Sequence, residues 1–316
     1  MSREIPAILL MGPTGSGKTD FAIRLAERWP LGIISVDSAM VYRGLDIGSA
    51  KPDPTTLARI RHRLVDIADP AERYSVGRFL QDIAVAMAEV RAEGRFPLLV
   101  GGTMLYFRAL QSGLAAMPEA DPGVRARIDA RAAEIGWPAL HAELSIVDPA
   151  AAASIRPLDR QRIQRALEVM ELTGRPLSAH WGEDLRGSTR PRDLKLVLAP
   201  GDRAWLGAHL ERRFDAMLEA GFLAEVEGLY ARGDLGAELP AIRAVGYRQL
   251  WEVVAGHASL AEGRGRAVIA SRQLARRQLT WCRREPGAAW FDPLEENSFD
   301  QISQRAGEWL MLQGNK

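Results

Sequence analysis

The chain is nearly devoid of lysine: of 41 basic residues only Lys18, Lys51, Lys195 and Lys316 are lysines, and the other 37 are arginines. It has one cysteine, Cys282, which excludes an internal disulfide and suits a reducing compartment. It lacks a long hydrophobic run. The longest N-terminal one, residues 5–11, is too short for a membrane span and lacks a signal peptide's layout. It also lacks excess charge, with 41 Lys+Arg against 40 Asp+Glu for a net +1. The total therefore gives no sign of a nucleic-acid partner. Composition excludes disorder, collagen and disulfide scaffolds. What remains is 316 residues, 47% apolar, enough for one large domain or two ordinary ones. The expectation is a soluble, cytoplasmic protein with no membrane partner. Genomic base composition accounts for the arginine bias, but it makes a lysine inside a motif stand out.

The first 110 residues alternate short apolar runs with amphipathic stretches, the pattern of βαβ units around a parallel sheet. Residues 5–11 read as a buried strand, and 19–29 as a helix with Phe21, Ala22, Leu25 and Ala26 on one face. Residues 32–36 and 96–100 give further strands, separated by a helix over 76–91. From about 117 to 187 strand-like runs vanish, and Pro122, Pro149 and Pro157 punctuate helical stretches. Residues 194–198 return to strand character, followed by helices over 204–232, 247–255 and 260–284. The expected fold is α/β, a P-loop NTPase-like parallel sheet flanked by helices, with an inserted all-helical domain and a helical C-terminal part. Residues 1–116 and 190–316 are expected to form the P-loop core and 117–189 the insertion, with the tail at 313–316 frayed.

Gly12-Pro13-Thr14-Gly15-Ser16-Gly17-Lys18-Thr19 satisfies G-x-x-x-x-G-K-[ST] in full, after a strand and opening a helix. Glycines let successive N–H groups face one phosphate, and the helix adds its positive end. Lys18 supplies a mobile charge, and the Thr19 hydroxyl suits Mg²⁺ or a phosphate oxygen. The motif calls for a polyphosphate, whether ATP, another nucleotide or a different diphosphate.

Asp37 ends the second strand, facing the crevice where α/β sheets bind ligands. It fits a Mg²⁺ ligand, a general base, or the cap of the segment that follows. Lys51 and Pro52 lie in a loop within reach of that crevice. Gly101-Gly102-Thr103 ends the next strand, where glycines admit a ligand and Thr103 offers an uncharged hydroxyl. His62 stands alone, with no second His or Cys at ligand spacing, so zinc is not expected.

Residues 263–284 hold seven arginines (264, 266, 272, 276, 277, 283 and 284) and no acid, leaving −6 for the rest of the chain. On a helix, Arg272, Arg276 and Arg283 share one stripe, and Arg266, Arg277 and Arg284 another about 120° round. Val268, Ile269, Leu274, Leu279 and Trp281 form no single apolar stripe. Solvated helix faces normally mix signs; arginines of one sign with a tryptophan suit a phosphodiester backbone and base stacking. Gln161, Arg162, Gln164 and Arg165 in the insertion, and Arg243 to Arg248, add groups able to bond base edges. Together they point to RNA.

These residues, in this order, resemble the tRNA dimethylallyltransferase family. The resemblance rests on residues 12–19, the run from Asp37 to Pro52, His62 with Asp66, Tyr74-Ser75-Val76, and Gly101 to Tyr106. It continues with Gln161 to Arg165, Arg213 to Met217, Gly246 to Gln249, and Arg276 to Trp281, so it spans about 8–284. Met40 stands where the family often has Gln, and Ser49 where it often has Thr.

The resemblance implies transfer of a dimethylallyl group from its diphosphate to the exocyclic N6 amine of the adenosine 3′-adjacent to the tRNA anticodon. It implies that Asp37 accepts the amine's proton and that Thr103 lines the channel. Lys18, Thr19 and Mg²⁺ then neutralise the leaving group, and Arg213 is a further diphosphate candidate. The implied tRNA contacts are Asp37, Ser38, Ala39, Met40, Thr103, Arg125, Gln161, Arg162, Ile163, Gln164, Arg165, Arg243, Ala244, Val245, Gly246, Tyr247 and Arg248, which grip the anticodon stem-loop. A monomer is expected. The rival readings are a P-loop small-molecule kinase and an RNA-binding regulator with a nucleotide-sensing P-loop.

Overall fold

The structure is a computed structural model and describes residues 5–113, 118, 120–181 and 192–314. The expected boundaries at 116/117 and 189/190 lie outside these residues, as does the end of the tail at 315–316. The chain runs β1 (Ile8–Met11), α1 (Lys18–Arg28), β2 (Leu31–Val36), α2 (Pro54–Arg59), β3 (His62–Arg63), α3 (Val76–Ala92), β4 (Phe96–Gly101) and α4 (Met104–Ser112). Then come α5 (Pro122–Ile135), α6 (Trp137–Val147), α7 (Pro149–Ser154) and α8 (Arg160–Thr173). The remainder is β5 (Leu194–Leu198), α9 (Arg203–Glu219), α10 (Phe222–Ala231), α11 (Tyr247–Val254), α12 (Leu260–Cys282), β6 (Ala289–Phe291) and α13 (Ser298–Gly314).

Two compact units result, one of Met1–Arg108 with Arg190–Lys316 and one of Ala109–Thr189. The first holds a six-stranded parallel sheet in the order β3-β2-β4-β1-β5-β6. Its central strands are apolar at successive positions because both faces are covered. Ile8, Leu10, Ile33, Leu98, Val100, Leu196 and Leu198 pack with Ala22 and Leu25 of α1 and Ile302 and Ala306 of α13. The alternating residues Leu9, Ile34, Leu99 and Val197 are equally buried. Crossovers between parallel strands bring the carboxyl ends of β2, β4 and β1 side by side, in register through Val36↔Gly101 and Met11↔Gly101.

The second unit packs α5, α6, α7 and α8 around Val124, Ile128, Leu140, Leu144 and Ile163. Asp121, Asp148 and Asp159 cap three of these helices, each just ahead of the first turn. Glu168 is fully buried and accepts hydrogen bonds from Arg125 (2.8 and 3.1 Å), Arg165 (2.6 Å) and the Asp121 N–H (3.0 Å). Burial raises its pKa, but these donors outweigh burial and hold the carboxyl below the usual glutamate range.

Three features differ from the sequence reading. The helix expected over 204–232 is two, because Gly221 at φ 99° ends α9 in the left-handed region and starts α10. The short strands β3 and β6 and the long α13 were not anticipated. A two- or three-residue strand carries no readable alternation. The buried face of α12 is Gly263, Ala267, Val268, Ala275, Gln278, Leu279 and Cys282. The stripe exists, but small residues build much of it, while Ile269 is exposed.

Replacing Glu168 with Gln leaves Arg125 and Arg165 without their anion. The cost is about 2–3 kcal/mol, below that of a fully buried pair because both arginines are partly exposed. Hydrogen exchange should quicken at the amides of α5 and α8 and stay unchanged in β1 and β4. Unchanged protection in α5 and α8 would contradict the role given to this network.

Candidate active site

The turn after β1 wraps into α1 through Gly17, whose φ of 76° places it in the left-handed region at the helix N-cap. No side chain caps α1, so its first N–H groups face the cavity in front of it. Residues Thr14 to Thr19 line that cavity, of about 580 Å³. Lys18 is half-buried, its Nζ donating to the Pro13 carbonyl (2.6 Å) and to Ser16 Oγ (3.3 Å). Burial pushes its pKa down to about 8; Asp37 opposes that fall and Arg213 adds to it.

Asp37 follows β2 directly. Its Oδ1 accepts from the N–H groups of Ala39 (2.8 Å) and Met40 (3.3 Å), so it caps the segment that follows, as one of the sequence readings expects. Those bonds fix the carboxylate, while Oδ2 has no hydrogen bond among the described residues. Thr103, after β4, accepts from the Ser38 N–H (3.1 Å) and donates to Ser38 Oγ (3.4 Å). Met40 lines the phosphate-side cavity, where its sulfur accepts from Ser35 Oγ at 3.9 Å.

A second cavity of about 480 Å³ lies alongside. Phe214, Met217, Leu274 and Trp281 give it apolar wall, and Arg243, Ala244, Val245 and Arg277 add its basic and backbone-lined part. Asp37, Thr14, Ser49, Gly102, Arg213 and Gln278 line both cavities. Arg213 is half-buried and makes no hydrogen bond or ion pair among the described residues. Burial lowers its pKa, and Asp37 and Asp20 oppose that. A desolvated, unpaired guanidinium facing a Gly-rich helix start is built for an anion.

Two residues that tie the site together were not singled out from sequence. Gln278, buried on α12, accepts from the Thr14 N–H (2.8 Å) and donates to the Gly102 carbonyl (2.9 Å), joining the P-loop to the turn after β4. Glu225 on α10 accepts from the N–H groups of Asp46 (3.1 Å), Ile47 (2.7 Å) and Gly48 (3.3 Å) and from Tyr247 Oη (2.5 Å). An acid in the first turn of a helix was the only available signal for Glu225. Lys51 is a buttress: its Nζ donates to the Tyr42 carbonyl (3.1 Å) and pairs with Asp46 and with Asp66 (2.5 Å). His62 Nδ1 lies 2.8 Å from the Ile60 carbonyl, and Nε2 is buried without a partner beside the phosphate-side cavity.

The other expected positions divide. Arg243, Ala244 and Val245 reach the second cavity, Gly246 and Tyr247 are buried, and Arg248 is exposed. In the helical unit Gln161 and Arg162 are exposed, while Gln164 Nε2 donates to Asp129 (2.7 Å). Arg125 and Arg165 are held by Glu168, and Ile163 is fully buried in the unit's core, which leaves its side chain to packing rather than to a partner. Of the seven clustered arginines, Arg264 pairs with Asp215 and Glu211, and Arg272 with Glu211, so acids of α9 offset part of the charge. Cys282 is buried, which pushes its thiol up to about 11.

Among the described residues no three His, Cys, Asp or Glu converge as a metal cage. Thr19, Ser35, Asp20 and Asp37 nonetheless offer oxygen donors in the phosphate-side cavity. A few oxygen ligands completed by phosphate and water are what Mg²⁺ takes, so the donor set fits that ion. Among the described residues no helix is long and apolar enough to cross a membrane.

A family model described as IPP transferase matches residues 40–285, and one described as isopentenyl transferase matches residues 5–68. The tRNA dimethylallyltransferase of Thioalkalivibrio sulfidiphilus is 62% identical over 284 residues, covering 89% of this chain and 88% of that protein. That of Bordetella petrii is 50% identical over 312 residues, covering 98% and 99%. Among solved structures, the tRNA isopentenylpyrophosphate transferase of Bacillus halodurans superposes with a TM-score of 0.71 at 33% identity, over 99% of each chain. A eukaryotic dimethylallyltransferase described as acting on tRNA gives a TM-score of 0.78 at 25% identity, over 96% of this chain and 78% of that one.

The depressed pKa of Lys18 sets a pH dependence. The site needs the ammonium form, which the free protein keeps below about pH 8. Relative to Lys18→Met, affinity for inorganic pyrophosphate should be flat below that pH and fall about tenfold per unit above it, until the pKa of the complex is reached. Calorimetric titration from pH 6 to 10 checks this; the same profile in both proteins would contradict it.

Proposed function

The chain belongs to the tRNA dimethylallyltransferase family, and we propose that in transferring a dimethylallyl group to tRNA it takes the group from dimethylallyl diphosphate. The acceptor is the exocyclic N6 amine of the adenosine 3′-adjacent to the anticodon. The observation that carries this reading is the position of Asp37 in the wall shared by both cavities. A carboxylate there meets an electrophile held on one side and an amine arriving from the other.

The diphosphate binds the N–H groups of the P-loop and the start of α1, with Lys18 and Arg213 as its cationic partners. The bond between the allylic carbon and the diphosphate oxygen breaks, and that oxygen keeps the electron pair. Lys18 and Arg213 are already in place to offset its growing charge, so little reorganisation is needed. Thr19 would hold Mg²⁺, which when bound supplies further charge neutralisation. The adenosine leaves its stack and enters the second cavity among Phe214, Met217 and Trp281. Its N6 attacks the allylic carbon, and Asp37 takes the proton the amine sheds. Thr103, tied to Ser38 beside Asp37, orients that amine.

Exposed Gln161 and Arg162 of the helical unit, with Arg243, Arg248 and the exposed Arg266, Arg276 and Arg277 of α12, bind the anticodon stem-loop. Binding is therefore salt-dependent. Arg125, Gln164 and Arg165 contribute by fixing the surface of that unit. The protein works in the cytoplasm as a monomer, and its P-loop holds the prenyl diphosphate rather than ATP. A small-molecule kinase is not favoured by the family, and it leaves the second cavity's tryptophan and arginines without a task.

Unmodified tRNA incubated with dimethylallyl diphosphate and Mg²⁺, without ATP, should gain a dimethylallyl group at one adenosine, read by mass spectrometry of the nucleosides. Dependence on ATP, or ATP-driven phosphorylation of a small molecule, would contradict the assignment.

A further inference from the structure

We propose that His209 is a further diphosphate-binding residue, whose imidazole donates a hydrogen bond to the leaving group and takes up a proton as that group binds. This rests on the reading that a diphosphate occupies the P-loop.

The placement is specific. His209 stands one helical turn before Arg213 on α9, and both side chains line the phosphate-side cavity. The imidazole lies against the P-loop: its Cδ2 is 3.4 Å from where a Cβ on Gly15 would stand. The ring is also pre-set. It stacks on Trp205, with centroids 4.7 Å apart and planes 8° from parallel. Among the described residues neither ring nitrogen makes a hydrogen bond, so no protein group competes for the imidazole N–H.

The electrostatics give the site a response. Burial, then Arg213 and Arg212 on the same helix, hold the pKa of His209 below the ordinary histidine value, so the ring is neutral in the free protein near pH 7. The other charged or titratable groups around this cavity are Lys18 and Asp20 of α1, Lys51, Asp53, Asp37 and His62, whose own pKa burial holds down. Lys51 is committed to Asp46 and Asp66, and Asp53 to the first turn of α2. An arriving diphosphate therefore changes the local sign most. It reverses the repulsion from Arg213 and draws a proton onto the imidazole. The charged ring then offsets charge on the departing group alongside Lys18 and Arg213.

Isothermal titration of inorganic pyrophosphate with Mg²⁺, at pH 7 in two buffers of different ionisation enthalpy, tests the proposal. Lys18 already carries its proton at that pH, so the uptake that differs between variants reports His209. The wild-type protein should take up a proton fraction that His209→Gln does not, and His209→Gln should bind roughly tenfold more weakly. His209→Arg, permanently charged, should regain affinity without proton uptake. A ring that serves only to pack on Trp205 would give none of these differences in uptake. Wild-type affinity and uptake in His209→Gln, with Lys18→Met weakened, would overturn the proposal and leave the diphosphate site standing. No pyrophosphate binding by the wild type would overturn both.

Discussion

Parallel strands share a direction, so their carboxyl ends reach one edge of the sheet, and adjacent strands lie about 4.8 Å apart. In the order β2-β4-β1 this puts the residue after β2 and the turn after β1 roughly 10 Å from each other, with the end of β4 between them. Asp37, Thr103 and the P-loop come from those three strands. Their spacing suits a reaction in which a diphosphate sits on one side and an amine approaches from the other. The chemistry depends on that edge being held rigid. The hydrogen bonds of Gln278 to the Thr14 N–H and Gly102 carbonyl, and of Thr103 to Ser38, close it where no ladder bond can.

Around this edge the charges are arranged for use rather than for stability. Lys18 and Arg213 are both desolvated, both near Asp37, and neither is neutralised by an ion pair among the described residues. Other cations are held in close pairs: Lys51, which also lines the phosphate-side cavity, by Asp46 and Asp66, Arg264 by Asp215, and Arg125 and Arg165 by Glu168. Unpaired cations facing a cavity cost stability and are offset when an anion arrives. The net charge of +1 conceals this division entirely.

Much of the site was legible in the sequence because it is local. The P-loop is a contiguous motif, and Asp37 and Thr103 announce themselves by ending apolar runs that are strands. Gln278 was not legible because its partners lie 264 and 176 residues away, and its neighbours on the buried face of α12 are small. Glu225 gripping residues 46–48 is hidden for the same reason of range. Among the arginines, sequence revealed the excess but not the partition. Arg264 and Arg272 find acids on α9, and Arg125 and Arg165 find Glu168, pairings that depend on helix packing. The break at Gly221 was missed because a glycine inside an amphipathic stretch is often tolerated.

The proposed role of Asp37 where the two cavities meet is tested most directly by the single-turnover rate of Asp37→Asn with saturating prenyl diphosphate and tRNA. Removing a positioned general base should slow transfer by roughly 10²–10⁴-fold. The affinities for tRNA and for pyrophosphate should stay within about threefold, since the amide can still accept the N–H groups of Ala39 and Met40. A rate within a few-fold of wild type would contradict the central claim, because the wall shared by the two cavities would then hold no base.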